Sequence, residues 1–500
     1  MNLPGFPTLI VLPGIFAALA YLSGRLVRRP GRWNLPYVVA LLGLLGTWLP
    51  FGAAAVQLVR GDTLESRFGS VVLRLDALGL LMSALVLGLG TLVVLYCGPY
   101  LSKESGQEKF YAMLLLMISM ILGLACATDL FNLWIWFEAM AVTSYLLVAF
   151  YREQAASLEA GFKYLVQNAA GSVLVVAGIG LVFAATGSVS LAQIRNAAVP
   201  SGLLLAAGAL FFIGFGVKTA LVPLHTWLPD AHAQAPSGIS VMLSCVVIEA
   251  GLLAMLRALG SLMGASSSWY LLFLGFAVLN MLVGNLMALR QKQVKRLLAF
   301  SSVAQLGYML LGLGIALYSG QIEGAQGSLF HLFNHGLMKG LAFLAAGVLL
   351  YALHISSGSH DPLQIDDLAG AARRYPLTAM ALSLAVIGLG GLPPLAGFMS
   401  EWQIFAAGFE THNAILEALV ILAALNSILS LAYYLPLVNM MYRLEPSSRV
   451  QSGAPVPAAM AIPLVVLGAA VVIVGVWPGL VNGLTAPAAR VLLAGFGIWH

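Results

Sequence analysis

The chain has 500 residues, of which 60% are hydrophobic and 9% charged, with a mean hydropathy of +0.95. No soluble domain has that balance, so the chain reads as a polytopic membrane protein. Its net charge of +5 is no nucleic-acid signal, because the basic residues gather in one set of loops.

Apolar runs long enough to span a bilayer, about 20 residues each, follow one another along the chain. They fall at roughly 5–24, 35–59, 75–101, 110–127, 129–151, 159–186, 202–222, 238–259, 269–289, 294–318, 326–353, 376–408, 413–442 and 457–481, which makes fourteen helices. The first run follows Met1–Pro4, which is uncharged, and has no small-residue cleavage site; it reads as a retained helix rather than a signal peptide. Cys97, Cys126 and Cys245 lie in apolar segments without CxxC spacing and read as reduced core residues.

Positive charge orients the chain. Loops after odd-numbered helices hold Arg25, Arg28, Arg29, Arg32, Lys103, Lys109, Arg152, Arg290, Lys292, Lys295, Arg296, Arg373, Arg374, Arg443 and Arg449. The other side holds only Arg60, Arg67, Arg74, Arg195, Arg257 and Arg490, while Lys163, Lys218 and Lys339 lie within helices. The positive-inside rule puts the first set in the cytoplasm and both termini on the non-cytoplasmic side of the cell inner membrane.

Helix 7 carries Lys218 and is interrupted at Pro223, which lacks an N–H and clashes with the preceding turn. A lysine at the bilayer centre costs roughly 2.5–3.5 kcal/mol on insertion scales. A helix broken at that depth survives only inside protein or beside a water-filled cavity. Helix 12 is interrupted in the same way around Pro393 and Pro394, with Glu401 just beyond. The two are the fourth helices of 4–8 and 9–13. Five helices is an odd number, so the second copy would be inverted, and paired broken helices point to a transport site between inverted repeats. The expected organisation is residues 1–108 (helices 1–3), 109–260 (first repeat), 261–442 (second repeat) and 443–500 (helix 14 and tail).

Other ionisable residues lie within spans. Glu138 is nine residues past Asp129, roughly 14 Å deep at 1.5 Å per residue. Glu249 is near the middle of helix 8. His331, His335 and Lys339 recur every four residues on helix 11 and so share a face. A single such group is ordinarily a helix–helix hydrogen bond. Seven, spread over helices 5, 7, 8, 11 and 12, read as a polar track for protons, since buried and paired Glu, Lys and His can all titrate near neutrality. Glu138 is expected to pair with Lys218, and Glu401 to be the terminal station. His225 and His232, seven apart at a membrane face, read as capping and loop-packing residues rather than metal ligands. The chain has no haem, iron–sulfur or nucleotide motif, so no metal or cofactor is expected in it.

Five segments carry a resemblance: WFEAMAVTSYLLVAF, KTALVPLHTWLPDAHAQAPSGISVMLS, KRLLAFSSVAQLGYML, HLFNHGLMKGLAFLAAG and GLPPLAGFMSEW. With them the chain resembles the antiporter-like membrane subunits of respiratory complex I, shared with Mrp-type sodium/proton antiporters and energy-converting hydrogenases. The resemblance implies a Glu138–Lys218 pair, a helix 11 set of His331, His335 and Lys339, and a terminal Glu401. The family usually has Lys or His where this chain has Glu249, so Glu249 would be either re-tuned by Lys218, His335 or Lys339, or neutral. About 19 residues follow helix 14, too few for the long lateral helix of the largest members.

The implied function is proton translocation within a complex I-type NADH:quinone oxidoreductase. Other subunits would transfer the electrons, and partners would include antiporter-like paralogues. Rival readings are an Mrp-type cation/proton antiporter subunit, moving sodium as well, a hydrogenase subunit, and a scaffold with inactive relay residues. The intact Glu138, Lys218 and helix 11 set speaks against the scaffold.

Overall fold

A computed structural model describes residues 5–26, 34–197, 200–443 and 445–498. Arg28, Arg29 and Arg32, counted above for orientation, lie outside the described residues. Among the described residues the regular structure is all helical apart from one hairpin and a few isolated bridges. The spans are α1 (Thr8–Leu26), α2 (Leu35–Val59), α3 (Ala77–Tyr100), α4 (Gln107–Ala125), α5 (Leu130–Val148) and α6 (Ala155–Thr186). Then come the interrupted pair α7a (Gly202–Lys218) and α7b (Trp227–Gln234), and α8 (Ser237–Gly260). They are followed by α9 (Trp269–Ala288), α10 (Val294–Ser319) and α11 (Ile322–Leu353). A second interrupted pair, α12a (Pro376–Leu389) and α12b (Ala396–Glu410), precedes α13 (Ala414–Met441), α14 (Ala458–Val476) and α15 (Gly479–Gly495). Among the described residues 12 unbroken helices are long and apolar enough to cross a membrane, and α7a/α7b and α12a/α12b supply the two interrupted crossings expected from sequence.

Local chemistry sets the ends. Asp76 and Asp129 each accept a backbone N–H at 2.7 Å, from Gly79 and Asn132, and so cap α3 and α5. Ser201 caps α7a through Leu204 N–H at 3.2 Å. Gly320, at φ 75°, ends α10 in the left-handed region that glycine enters without strain.

Burial ranks the helices. α8 and α10 are 100% buried over their apolar windows and α11 94%, whereas α1 is 28% and α2, α6 and α13 are each 33%. The centre is therefore α8, α10 and α11, and α1, α2, α6 and α13 present apolar side chains outward. Exposed Leu19, Leu49, Phe162 and Ile428 match a lipid or subunit-facing surface, since such a chain is hydrophobic on both sides of its helices.

Four features were not legible in the pattern. The stretch before α3 forms an antiparallel hairpin, β1 (Leu64–Phe68) with β2 (Val71–Leu75), tied by Arg74 and Arg67 to Glu65 at 2.7 and 3.0 Å. A short helix, Leu191–Ala197, precedes α7a. α8 contains a π-helical segment, Leu243–Val247. The expected tail is the helix α15, whose Ala494 carbonyl accepts from Arg195 at 3.0 Å. On that same face Arg257, near the end of α8, makes a two-pronged ion pair with Asp76 at 3.1 and 3.0 Å and donates to the Ala125 carbonyl at 2.8 Å. This clamp joins the ends of α8, α3 and α4.

Candidate proton path

Both helix breaks free backbone groups that lipid could not satisfy, and in both cases a neighbouring amide side chain takes them up. At the first break, residues 219–226, Asn280 of α9 accepts from Val222 N–H at 3.0 Å and donates to the Ala220 and Val303 carbonyls at 3.3 and 3.2 Å. Trp227 at the start of α7b donates its indole N–H to Val217 at 2.8 Å, folding the second half back on the first. At the second break, Gln305 of α10 donates to the Leu389 carbonyl at 2.9 Å and Asn334 of α11 to the Ala396 carbonyl at 2.7 Å. Gly391 stands there at φ 67°; a Cβ on it would meet Glu401 Oε2 at 2.5 Å, so only glycine leaves room for the carboxylate.

Lys218 is the last residue of α7a and is completely buried. Its ammonium donates to Ser144 Oγ at 3.1 Å and to the Tyr164 hydroxyl, and lies 4.4 Å from the centre of the Tyr164 ring. That ring stacks on Trp227 at 4.0 Å. The lysine is thus held by hydroxyls and a ring face, a cation site without a fixed carboxylate.

The expected Glu138–Lys218 ion pair is absent: among the described residues no carboxylate lies within 4.0 Å of Lys218. Glu138 is half-buried on α5, its Oε1 has no hydrogen-bond partner, and Ile135 and Val142 on the neighbouring turns are exposed. The two stay within electrostatic reach of each other without direct contact. Lys218 is completely buried, and Glu138 is partly buried with its Oε1 enclosed.

The other five expected residues converge on the buried centre. Glu249 Oε1 lies 3.0 Å from His335 Nδ1, and both side chains are inaccessible. This answers the departure from the family pattern: Glu249 is partnered by His335 rather than standing alone. The π segment ends at Val247, two residues before Glu249, and its Ser244 hydroxyl bonds Ser302 of α10 at 2.7 Å. Such segments turn the following residues to a new bearing and recur at functional sites. One turn along α11, Lys339 donates to the Leu298 carbonyl at 2.7 Å and to Ser301, which bonds Tyr434 of α13.

One turn the other way, His331 Nε2 lies 2.8 Å from Gln305 Oε1, and Nδ1 lies 3.0 Å from Ser400 Oγ. The Gln305 amide nitrogen is committed to Leu389, so its oxygen accepts from His331 Nε2–H and Nδ1 faces Ser400 as acceptor. Glu401, the next residue after Ser400, bonds Ser427 of α13 at 2.9 Å through Oε2 and leaves Oε1 without a partner. The helix 11 triplet therefore radiates to three neighbours, α12b, α8 and α10.

One group was misplaced by the sequence reading, and a second packs as that reading expected but is wholly enclosed. Lys295, counted among the loop charges, is buried in the first turn of α10 and donates to the Ala235 carbonyl. His232, read as a packing residue, is fully buried and stacked on Phe343 at 4.6 Å, with neither ring nitrogen partnered. The amides Asn280, Gln305 and Asn334 also went unremarked, although a polar amide in an otherwise apolar span is itself a signal.

Two interrupted helices around a buried line of ionisable side chains define a polytopic membrane protein of the ion-translocating class. The chain belongs to the NADH:quinone oxidoreductase/Mrp antiporter transmembrane family, whose profile matches residues 127–427. It is 31% identical to F(420)H(2) dehydrogenase subunit N of Methanosarcina mazei over 92% of this chain and 93% of that one. It is likewise 31% identical to NADH-quinone oxidoreductase subunit N of Desulforudis audaxviator, over 94% and 95% of the two chains. A chain of the membrane-bound sulfane sulfur reductase, an archaeal respiratory membrane complex, superposes with a TM-score of 0.87 at 28% identity, covering 98% of both chains.

Proposed function

We propose that this chain is the proton-translocating membrane subunit of a complex I-type NADH:quinone oxidoreductase or of a respiratory complex built on the same plan. The observation that carries the reading is the buried set on α8, α11 and α12b, where Glu249 meets His335 at 3.0 Å and His331 and Lys339 are held by neutral groups. Each of these can take or give up a proton without breaking a saturated ion pair, which is what a relay needs and a structural salt bridge lacks.

The relay runs from Lys218 through Glu249–His335 to Lys339 on one side and His331 and Glu401 on the other. Gly251 of α8 packs against Lys218 and Thr219, so the first station adjoins the helix that carries the second. Helices α4–α8 and α9–α13 act as two inverted repeats with α7 and α12 in corresponding places, and the clustering of basic loops puts both termini on the non-cytoplasmic side of the inner membrane. Other subunits carry the electron transfer, and this chain needs no cofactor of its own. Glu138, whose Oε1 is enclosed without a hydrogen-bond partner, stands at the start of this relay and acts on Lys218 through space.

The test is electron-donor-driven acidification or alkalinisation by the purified complex in proteoliposomes. Proton movement that collapses with a protonophore and is indifferent to sodium supports the reading. Sodium-dependent exchange without electron transfer would support the Mrp-type alternative instead.

A further inference from the structure

Each half of the chain holds one buried lysine in the same chemical setting. Lys218 of α7a bonds Ser144 of α5 at 3.1 Å and the hydroxyl of Tyr164 of α6, and those two hydroxyls bond each other at 2.8 Å. Lys339 of α11 bonds Ser301 of α10, which in turn bonds the hydroxyl of Tyr434 of α13. All six residues are completely buried. Among the described residues no carboxylate lies within 4.0 Å of either ammonium. The serines stand on α5 and α10, the second helices of the two five-helix units.

The partners fix where the hydrogens lie. Ser144 also donates to the Ala141 carbonyl at 2.7 Å, which uses its one hydrogen. Ser144 therefore accepts from Lys218 and from Tyr164, while the Tyr164 oxygen accepts from Lys218. The Tyr164 ring cannot shift, since it lies flat on Trp227 at 4.0 Å and 5°, and Trp227 is tied to the Val217 carbonyl at 2.8 Å. Only its hydroxyl hydrogen is free to turn, from Ser144 towards Lys218. In the second triad Ser301 has no backbone partner among the described residues. Its hydroxyl can donate to Tyr434 while accepting from the ammonium, or donate to the free amine while accepting from Tyr434. A carboxylate, which only accepts, would favour the charged lysine alone. A hydroxyl serves both forms, so neither leaves a buried group unsatisfied.

We propose that Tyr164 and Tyr434 are positioning residues for proton transfer, whose hydroxyl hydrogen bonds reverse as Lys218 and Lys339 pass between ammonium and amine. The inference rests on the reading of the chain as a proton carrier. When Lys218 gives its proton to the next acceptor of the relay, its nitrogen keeps the electron pair of the broken N–H bond. The Tyr164 O–H then swings from Ser144 to that pair, and swings back on reprotonation. Lys339 is served through Ser301, which donates to the amine while Tyr434 donates to Ser301. Both tyrosines stay neutral throughout.

The experiment measures driven proton transport by the assembled complex in proteoliposomes as a function of pH, with electron transfer under a protonophore as the reference. Tyr164→Phe keeps the ring on Trp227 and removes only the hydroxyl. The ammonium loses a charge-assisted bond and the amine only a weaker neutral one, so the lysine releases its proton at lower pH. The alkaline limb of the profile should move down by about one pH unit, the scale of one such bond. Transport on that limb should fall about tenfold, with little change at the acid end. Tyr434→Phe should move the limb in the same direction by less, because it acts through Ser301, and it serves if the first variant does not assemble. Tyr164→Leu, which also loses the stack on Trp227, should lower thermal stability in addition to giving the shift. Wild-type profiles in both phenylalanine variants would mean that the tyrosines only pack, and would overturn this proposal while the proposed function stands. A wild-type complex that drives no protons overturns both.

Discussion

The two interrupted helices solve one problem with opposite charges. In α7 the ionisable group, Lys218, lies before the break, at the end of the first half. In α12 it is Glu401, lying after the break in the first turns of the second half. Lys218 is held by two hydroxyls and a ring face, from α5 and α6. Glu401 is held by Ser427 and by the bare backbone of Gly391. The scaffolding differs too. Asn280 alone makes two hydrogen bonds to the first break and a third to Val303 of α10, whereas the second break is shared among Gln305, Asn334 and Ser427. The comparison teaches that a break needs a polar clasp from elsewhere in the fold, and that the clasp is separate from the charge it shelters. At the second break the two also touch, since Gln305 binds both the broken backbone and His331.

If clasp and charge are separable, removing each should give a different defect. The largest effect is expected from Lys218→Met. Ser144 and Tyr164 remain bonded to each other at 2.8 Å without the lysine, so the complex should assemble while driven proton uptake falls by about tenfold or more, a loss of at least 1.4 kcal/mol at the transfer step. Native electrophoresis and a proteoliposome assay on the same preparation check both halves of that statement.

Asn280→Leu should behave in the converse way. It leaves the Val222 N–H and the Ala220 carbonyl buried and unsatisfied, about 1–3 kcal/mol for each group, so thermal stability of the complex should drop before the chemistry is touched. Gln305→Leu should affect both stability and pumping, because the same amide orients His331; equal stability and pumping to wild type would break the comparison. Gly391→Ala should be milder than Asn280→Leu in stability, costing about 1–3 kcal/mol for a non-glycine residue at positive φ, but it should impair pumping through its clash with Glu401.

The smallest effect is expected at the hairpin. Hydrogen bonds from Arg74 and then Arg67 hold the Glu65 carboxyl below its ordinary value of 4.5. A depressed folded value contributes stability that is present above the unfolded value and fades as pH falls through the folded one. Glu65→Gln should therefore remove a slight acid sensitivity of the hairpin's amide exchange below about pH 4.5 and leave pumping unchanged.

Hydropathy made the spans legible because a bilayer imposes length and polarity on each segment independently. Pro223 and the Pro393–Pro394 pair made the breaks legible, because a missing N–H is a local property. Membership of an apolar helix was legible for the same reason: Glu138 lies in α5 and Lys218 ends α7a. Direction was not. Whether a side chain in such a helix faces inward depends on what packs around it, and Glu138 turned out half-buried, without Lys218 as an ion-pair partner. Lys295 was misassigned for a related reason, since its helix is wholly enclosed by others and no apolar window reports enclosure. The π segment of α8, which precedes Glu249, changes the helix's bearing without leaving a proline or glycine to mark it. The Glu249–His335 contact could be expected as one of several partners but not selected, because only the assembled fold sets which cation meets the carboxylate.

The central claim is that protons cross this chain along the buried line on α8, α11 and α12b. Lys339→Met tests it most directly, because Lys339 lies at the fully buried centre and its neighbours Leu298 and Ser301 keep other partners. The measurement is the ratio of protons translocated to electrons transferred by the assembled complex in proteoliposomes. The account predicts that this ratio, or the coupled rate where the two cannot be separated, falls by about tenfold or more in an assembled complex of normal stability. An unchanged ratio and rate with Lys339→Met would contradict it.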